Sequence, residues 1–231
     1  MIHWFSFNNK DSRDFGIRLA EVPPIQRGRE RVTQVTIPGR AGTLTLAEGD
    51  ESFEPYTQGL AFTVPEENVP LVLSWLKGDG WLTISNDPDR RQLARAVNAV
   101  SFKRKSWKLT RSTVTVQFIC QPLKEQLHPG EYLIESGIRI ANTGDVPERP
   151  VFTIRGSGDI TLTAGGNTLA LSGIEGGCMI DCAMFEVLSL DGKTIITGKS
   201  SGDFPFLPVG ISPVTFTGAD SVQIKRAVRY L

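Results

Sequence analysis

Two histidines, three cysteines and a scatter of carboxylates are the residues of this 231-residue chain from which reactive chemistry would have to be built. His3 opens a strand pattern and His128 sits among turn formers, so each reads as structural or solvated. Gly198-Lys199-Ser200-Ser201-Gly202 matches the Gly-x-Ser-x-Gly of a nucleophile elbow. An elbow needs a helix after the serine and a histidine later in the chain. No helical pattern follows here and both histidines come earlier, which predicts a flexible Gly/Ser loop. The same Gly-Lys-Ser lacks the earlier glycine and the helix of a phosphate loop. Cys178-Met179-Ile180-Asp181-Cys182 would need two further ligands to hold a structural zinc. Cys120 adds one thiol and no histidine completes the set. On a strand, residues 178, 180 and 182 point the same way, which predicts buried thiols on a core face. Asp181 and Glu186 are the nearest approach to a glycosidase's carboxylate pair, but nothing in the sequence sets them across a sugar site. The sequence assigns no catalytic residue, no cofactor and no metal.

Binding chemistry is the next question. Sugar sites commonly stack a ring on tryptophan, and all four tryptophans (Trp4, Trp75, Trp81 and Trp107) precede residue 126. That weakens sugar binding in the second half, but a carbohydrate-binding module attaching to a host surface stays open as an alternative, resting on Tyr132, Phe185, Phe204, Phe206 or Tyr230. The run Lys103-Arg104-Lys105-Ser106-Trp107-Lys108 reads as a basic hairpin tip. Net charge is zero, from 25 basic and 25 acidic residues, which argues against a dedicated nucleic-acid binder. The halves either side of residue 126 carry 17 basic against 14 acidic residues and 8 against 11, so +3 and −3. Three cysteines, a small odd number, read as reduced thiols in a protein assembled in a cytosol. No apolar run approaches the roughly 18–20 residues of a membrane span. The N-terminal stretch lacks the basic segment and cleavage site of a signal peptide.

The elements that would position these residues are mostly short strands between turns. Thr33, Val35 and Ile37 alternate onto one face, as do Leu60, Phe62 and Val64, and Val114, Val116 and Phe118. Each set reads as a half-buried strand. Val69 to Gly78 is the exception. Asn68 is placed as N-cap, Pro70 falls in the first turn and Gly78 is the stop, with Val72, Trp75 and Leu76 on one helix face. A strand Gly80–Ser85, a turn at Asn86-Asp87-Pro88-Asp89 and a long strand Gln92–Phe102 follow. Ser112–Cys120 is predicted to pair with that long strand. Gln126–Gly130 reads as a connection, which divides the chain into 1–126 and 127–231. Beyond it the candidate strands are Tyr132–Ile140, Val151–Ile154, Ile160–Thr163, Thr168–Leu171, Met179–Ile180, Phe185–Leu188, Val214–Phe216 and Val222–Ala227. Their close spacing suggests an antiparallel sandwich. Pro38-Gly39-Arg40 is a tight turn: proline fixes one dihedral, glycine permits positive φ, and arginine can make a bidentate contact.

The landmarks also form an ordered set. Phe5 to Ile17, Val35-Thr36-Ile37-Pro38-Gly39-Arg40-Ala41-Gly42, the Trp75-Leu76 helix, Leu82 to Asp87 and Val116 to Pro122 follow one another. In the second half come Asn142-Thr143-Gly144-Asp145, Pro150 to Ile154, Gly158 to Leu162 and Ser201 to Leu207. This order resembles the distal tail (Dit) protein family of siphophages and related prophages, across nearly the whole chain. The resemblance implies a mainly β fold of two antiparallel β-sandwich domains. Residues 1–126 would be the ring-forming belt domain, with one short helix and an extended β-hairpin; 127–231 would be galectin-like. It implies a structural role, not an enzyme: a homo-hexameric ring in the virion, assembled in the host cytoplasm, at the distal end of the tail. That ring hub would join the tail tube protein to the tail-associated lysin or fibre and, in some phages, to receptor-binding proteins. DNA would pass through its lumen without sequence-specific binding, and no membrane is involved. The chain has the short family form, without carbohydrate-binding insertions. Pro38, Gly39, Arg40 and the basic hairpin residues Lys103, Arg104, Lys105 and Trp107 are the candidate subunit contacts.

Overall fold

The computed structural model describes residues 3–49, 51–104 and 110–231, and for 98–104 the backbone only. The chain divides into two compact units, one running to Leu127 and the other spanning His128–Tyr230.

The first unit is built on a long antiparallel sheet. Its strands are β1 (Phe5–Phe7), β2 (Lys10–Asp11), β3 (Arg18–Leu19), β8 (Tyr56–Pro65), β9 (Gly78–Ile84), β10 (Asp87–Arg104) and β11 (Arg111–Gln126). They lie in the order β2-β1-β9-β10-β11-β8-β3. Four short strands stand off that path: β4 (Arg29–Glu30) pairs with β7 (Phe53–Glu54), and β5 (Val32–Thr36) pairs with β6 (Thr43–Ala47). Alternation sets the core. Leu60, Phe62 and Val64 on β8, and Val114, Val116 and Phe118 on β11, are all buried.

The helix α1 (Val69–Trp75) closes this core. Val72, Trp75 and Leu76 are buried as the spacing predicts. Trp75 stacks on Phe5 at 5.5 Å and on Phe15 at 4.6 Å, between ring centroids, and its indole N–H donates to Phe7 O at 2.8 Å. A buried indole thus keeps its polar end satisfied. The helix start differs from expectation. A 3-10 turn, Glu66–Asn68, precedes it, and Asn68 makes no cap. The Asn68 side chain donates instead to Phe15 O at 3.0 Å, tying the helix start to the first loop. Gly78, expected to end the helix, opens β9 with φ +70°. The predicted turn at Asn86–Asp89 is shorter: the chain reverses at Ser85-Asn86 and Asp87 already belongs to β10.

The second unit packs two five-stranded antiparallel sheets. One has the order β12-β21-β14-β17-β18, from β12 (Glu131–Ile134), β14 (Val151–Arg155), β17 (Cys178–Asp181), β18 (Glu186–Leu188) and β21 (Ser221–Lys225). The other has the order β13-β20-β15-β16-β19, from β13 (Ile138–Asn142), β15 (Gly158–Ala164), β16 (Asn167–Ile174), β19 (Ser200–Gly202) and β20 (Gly210–Thr217). Phe152, Ile180 and Ile224 from the first sheet and Ile160, Leu162 and Val214 from the second share one core. This is the sandwich expected from the strand spacing.

Two expectations in this unit fail for physical reasons. Tyr132–Ile140 is not one strand. Gly137, with φ +91°, breaks it, and β12 and β13 belong to opposite sheets. Ser136 Oγ holds the crossing by donating to Phe216 O at 2.8 Å and accepting from Phe216 N at 2.9 Å. Gly198–Gly202 is not a free loop either. Ser200–Gly202 forms the edge strand β19, paired with Leu169–Leu171, and Lys199 Nζ donates to Gly173 O at 2.6 Å.

Candidate functional site

The residues that could have done chemistry are occupied with structure. Asp181 and Glu186 face each other across the β17–β18 ladder. Asp181 Oδ1 accepts from the backbone N–H of Ala183 at 2.9 Å and of Met184 at 3.0 Å, so it builds the hairpin turn. Cys178 and Cys182 sit on the core face with Ile180, all fully buried, as their alternation predicts. Burial pushes the thiols up, Cys178 to about 11 and Cys120 and Cys182 to about 12, which holds them protonated at neutral pH. Among the described residues no group of three or more His, Cys, Asp or Glu is placed to hold a metal ion. His3 is half-buried in the first unit and His128 is exposed in the second.

The aromatic residues are similarly engaged. Trp4 lies under the Arg13 guanidinium at 4.7 Å and Trp81 under that of Arg91 at 4.2 Å. Phe185 is 56% exposed, but Arg149 stands over its ring at 5.1 Å and Phe204 meets its edge at 5.6 Å.

One surface left without a covering among the described residues is the hairpin of β5 and β6. All ten of its strand residues are exposed. Here the half-buried strand expected at Thr33–Ile37 is corrected: the strand forms as Val32–Thr36, but it is exposed along its length and no layer among the described residues covers it. The register pairs Thr33 with Leu46 and Val35 with Leu44. Residues opposite one another in an antiparallel ladder share a face, and Ile37, two residues after Val35, joins them. Val35, Ile37, Leu44 and Leu46 thus form one apolar stripe, at 39%, 37%, 36% and 48% exposure. A two-stranded hairpin is marginal in water unless its apolar face is packed against something.

The predicted turn lies at the tip of this arm. Arg40 N donates to Ile37 O at 3.1 Å, with Pro38 and Gly39 between them and Gly39 at φ +81°. That is a type II turn, with proline first and a glycine where φ is positive. Pro38, Gly39 and Arg40 are all exposed. At the arm's base, Thr33 Oγ1 donates to Glu48 Oε1 at 2.8 Å and Arg31 lies 3.8 Å from Glu48. The other predicted contacts lie elsewhere. Lys103 and Arg104 are the last residues of β10, opposite Thr113 and Ser112, while Lys105 and Trp107 fall outside the described residues. The two sets therefore occupy different hairpins. Sequence reasoning missed β6. Its signal was the second alternation, Thr43-Leu44-Thr45-Leu46, directly across the turn from the first.

No family model matches the chain, and no curated protein matches it by sequence. Among solved structures, it is similar to the crystal structure of SPP1 Dit (gp 19.1), described as a paradigm of the hub adsorption apparatus in phages infecting Gram-positive bacteria. The TM-score is 0.77 at 17% identity, with 100% of each chain covered. The likeness takes in both units, and it shows that the chain has the fold of SPP1 Dit.

Proposed function

We propose that this chain is a structural component of a phage or prophage tail, a hub subunit whose copies close into a six-membered ring. The observation that carries the reading is the exposed apolar stripe of the β5–β6 arm. Such a face is stable in water when another surface covers it. A neighbouring copy supplies that surface in a head-to-tail contact, and such contacts close into rings when the rotation per subunit fits the symmetry. The fold shared with SPP1 Dit, a hub protein of a phage adsorption apparatus, supports a hub role in a tail. Arg40, at the arm's tip, is the candidate polar anchor of the contact, and the β10–β11 hairpin, with Lys103 and Arg104, is a second candidate.

The ring would sit at the distal end of the tail, assembled in the host cytoplasm. The tube protein would lie on one side and the tail-associated lysin or fibre on the other, with receptor-binding proteins as further partners. Docking at many points to these neighbours would stabilise a ring that is weak alone. DNA would traverse the lumen by steric passage, without base contacts.

Light scattering and negative-stain microscopy of the purified protein, alone and mixed with tail tube protein, test the reading. The expected particle is a ring with the mass of six chains, reduced in yield by Arg40→Ala. A single-chain mass under every condition, together with absence from purified tails, overturns it. The carbohydrate-binding alternative rests on the exposed ring of Phe185. It would be favoured by saturable binding of the whole chain to a glycan array that Phe185→Ala removes.

A further inference from the structure

At β12, on the edge of one sheet of the second unit, backbone groups and an apolar side chain are left open together. Among the described residues β12 pairs on one side only, with β21, from Glu131 opposite Lys225 to Ile134 opposite Val222. Just before the strand, Arg226 N donates to Gly130 O at 2.7 Å, which sets the phase of the ladder. Bonded and non-bonded positions alternate along an antiparallel pair. Tyr132 and Ile134 therefore bond to β21, and the N–H and C=O groups of Glu131 and Leu133 point to the open side.

The other edges of this unit are protected. The chain beyond β18 folds back along it: Ile196 N donates to Val187 O at 2.7 Å and Ile195 bridges Leu188. On β13 the Ala141 carbonyl is taken by Arg226 at 2.9 Å. β19 carries no side chain larger than serine. β12 instead presents Leu133, 69% exposed. An open edge that carries an apolar side chain is a template for one more strand. Beside it lies an opening of about 480 Å³, lined by Leu133, Glu135, Ser136, Gly137 and Ile138, with room for the side chains of such a strand.

Charge narrows the occupant. Glu131 lies on the same face as Leu133, two residues before it, and Glu135 follows two residues after. Both carboxylates are exposed, and neither forms an ion pair among the described residues. Lys225 stands opposite Glu131 in the ladder without a salt bridge to it. Opposite charges on neighbouring strands attract and like charges repel, so cations are favoured opposite these two carboxylates.

We propose that β12 is a docking edge for an extended segment of a partner protein, one that sets an apolar side chain beside Leu133 and a basic residue two positions to either side of it. The backbone groups of Glu131 and Leu133 give the added strand its hydrogen bonds, and the side chains choose its sequence. The inference is independent of the arm and of ring closure.

The probe is a threonine peptide with leucine at its centre and lysine two positions to either side, added to the full chain and followed by hydrogen exchange with mass spectrometry. Its dissociation constant should be on the order of 1 mM, because a free peptide loses its disorder on docking. At about five times that concentration, exchange in the segment 129–137 should slow about sixfold. The same peptide with glutamate in place of lysine should bind about fivefold more weakly or less still. Glu131→Lys combined with Glu135→Lys should reverse the preference. Leu133→Lys, at an exposed position, should remove the protection and leave the melting temperature within about 1 °C. No protection up to about 10 mM peptide, protection centred on another segment, or equal protection by the two peptides overturns the proposal.

Discussion

Strand β8 and the β5–β6 arm carry the same sequence signal and meet opposite fates. Leu60, Phe62 and Val64 alternate with polar neighbours and are at most 2% exposed, beneath a helix and between partner strands. Val35, Ile37, Leu44 and Leu46 alternate as cleanly and stay more than a third exposed. The difference lies outside the strands. β8 is flanked by β11 and β3, while among the described residues β5 and β6 pair only with each other. Period-two alternation therefore states that a face is to be covered. It does not state whether the cover comes from the same chain.

The largest effect in this comparison is expected on the β8 side. Phe62→Ala removes a fully buried ring that meets Phe5 at 5.7 Å between centroids. The loss should be about 3–5 kcal/mol of unfolding free energy, read from denaturant melts of the first unit. A loss under about 1 kcal/mol would mean that the β8 face is no more committed to its own core than the arm is.

The second unit offers a polar counterpart. Glu148 is fully buried, and its carboxylate takes Arg226 bidentately at 2.7 and 2.6 Å and the backbone N–H of Ala227 at 2.7 Å. This pairing raises the Arg226 guanidinium further above its usual range. Glu148→Ala would leave the arginine buried beside Ala141 O and the Tyr132 hydroxyl, without its counter-charge. Removing one partner of such a pair costs about 3–5 kcal/mol. Circular dichroism melts should show the second unit unfolding first. Unchanged melting would show that water enters and solvates the arginine.

Cores and arm should also separate by pH. Cys120, Cys178 and Cys182 are pushed by burial from 9.0 to about 11 or 12, and burial drives Tyr56 upward too. A raised folded-state value means that the folded chain keeps protons which the unfolded chain releases. That contribution is complete below pH 9 and is lost as pH rises through 11–12. Denaturation midpoints of both units should fall above about pH 9, and Cys178→Ala should flatten the fall in the second unit. A midpoint level up to about pH 11 would contradict the burial of these thiols.

What the sequence disclosed follows the same division. The faces of β8, β11 and α1 were legible, because each pattern is answered within its own unit. The buried thiols at 178 and 182 were legible from strand parity. The split of Tyr132–Ile140 was not, because Tyr132, Ile134, Ile138 and Ile140 keep the same parity across the turn, so the alternation passes through Gly137 unbroken. Strand β19 was hidden because Ser200-Ser201-Gly202, on a sheet edge, buries no side chain. At the candidate site, Pro38-Gly39-Arg40 announced its turn type through backbone chemistry. That the hairpin behind it stands apart from the sheet is a fact of topology, and no residue in 32–47 encodes it locally.

The smallest effect on folding is expected where the effect on assembly is greatest. Val35→Ser combined with Leu44→Ser replaces a cross-strand pair on the exposed stripe. Each residue already contacts water in the isolated chain, so the stability of the monomer should change by no more than about 0.5 kcal/mol per site. If the stripe is covered by another copy, as in the proposed function, the ring should be lost, because that contact would be repeated at every subunit boundary. Sedimentation velocity gives the assembly state, and denaturant melts of the dissociated chain give the stability. A drop in stability approaching that of Phe62→Ala would show that the arm packs within its own chain, and the contrast with β8 would disappear. Intact rings and unchanged stability together would show that the stripe is covered by nothing in the assembly, leaving Arg40 and the β10–β11 hairpin to make the contact.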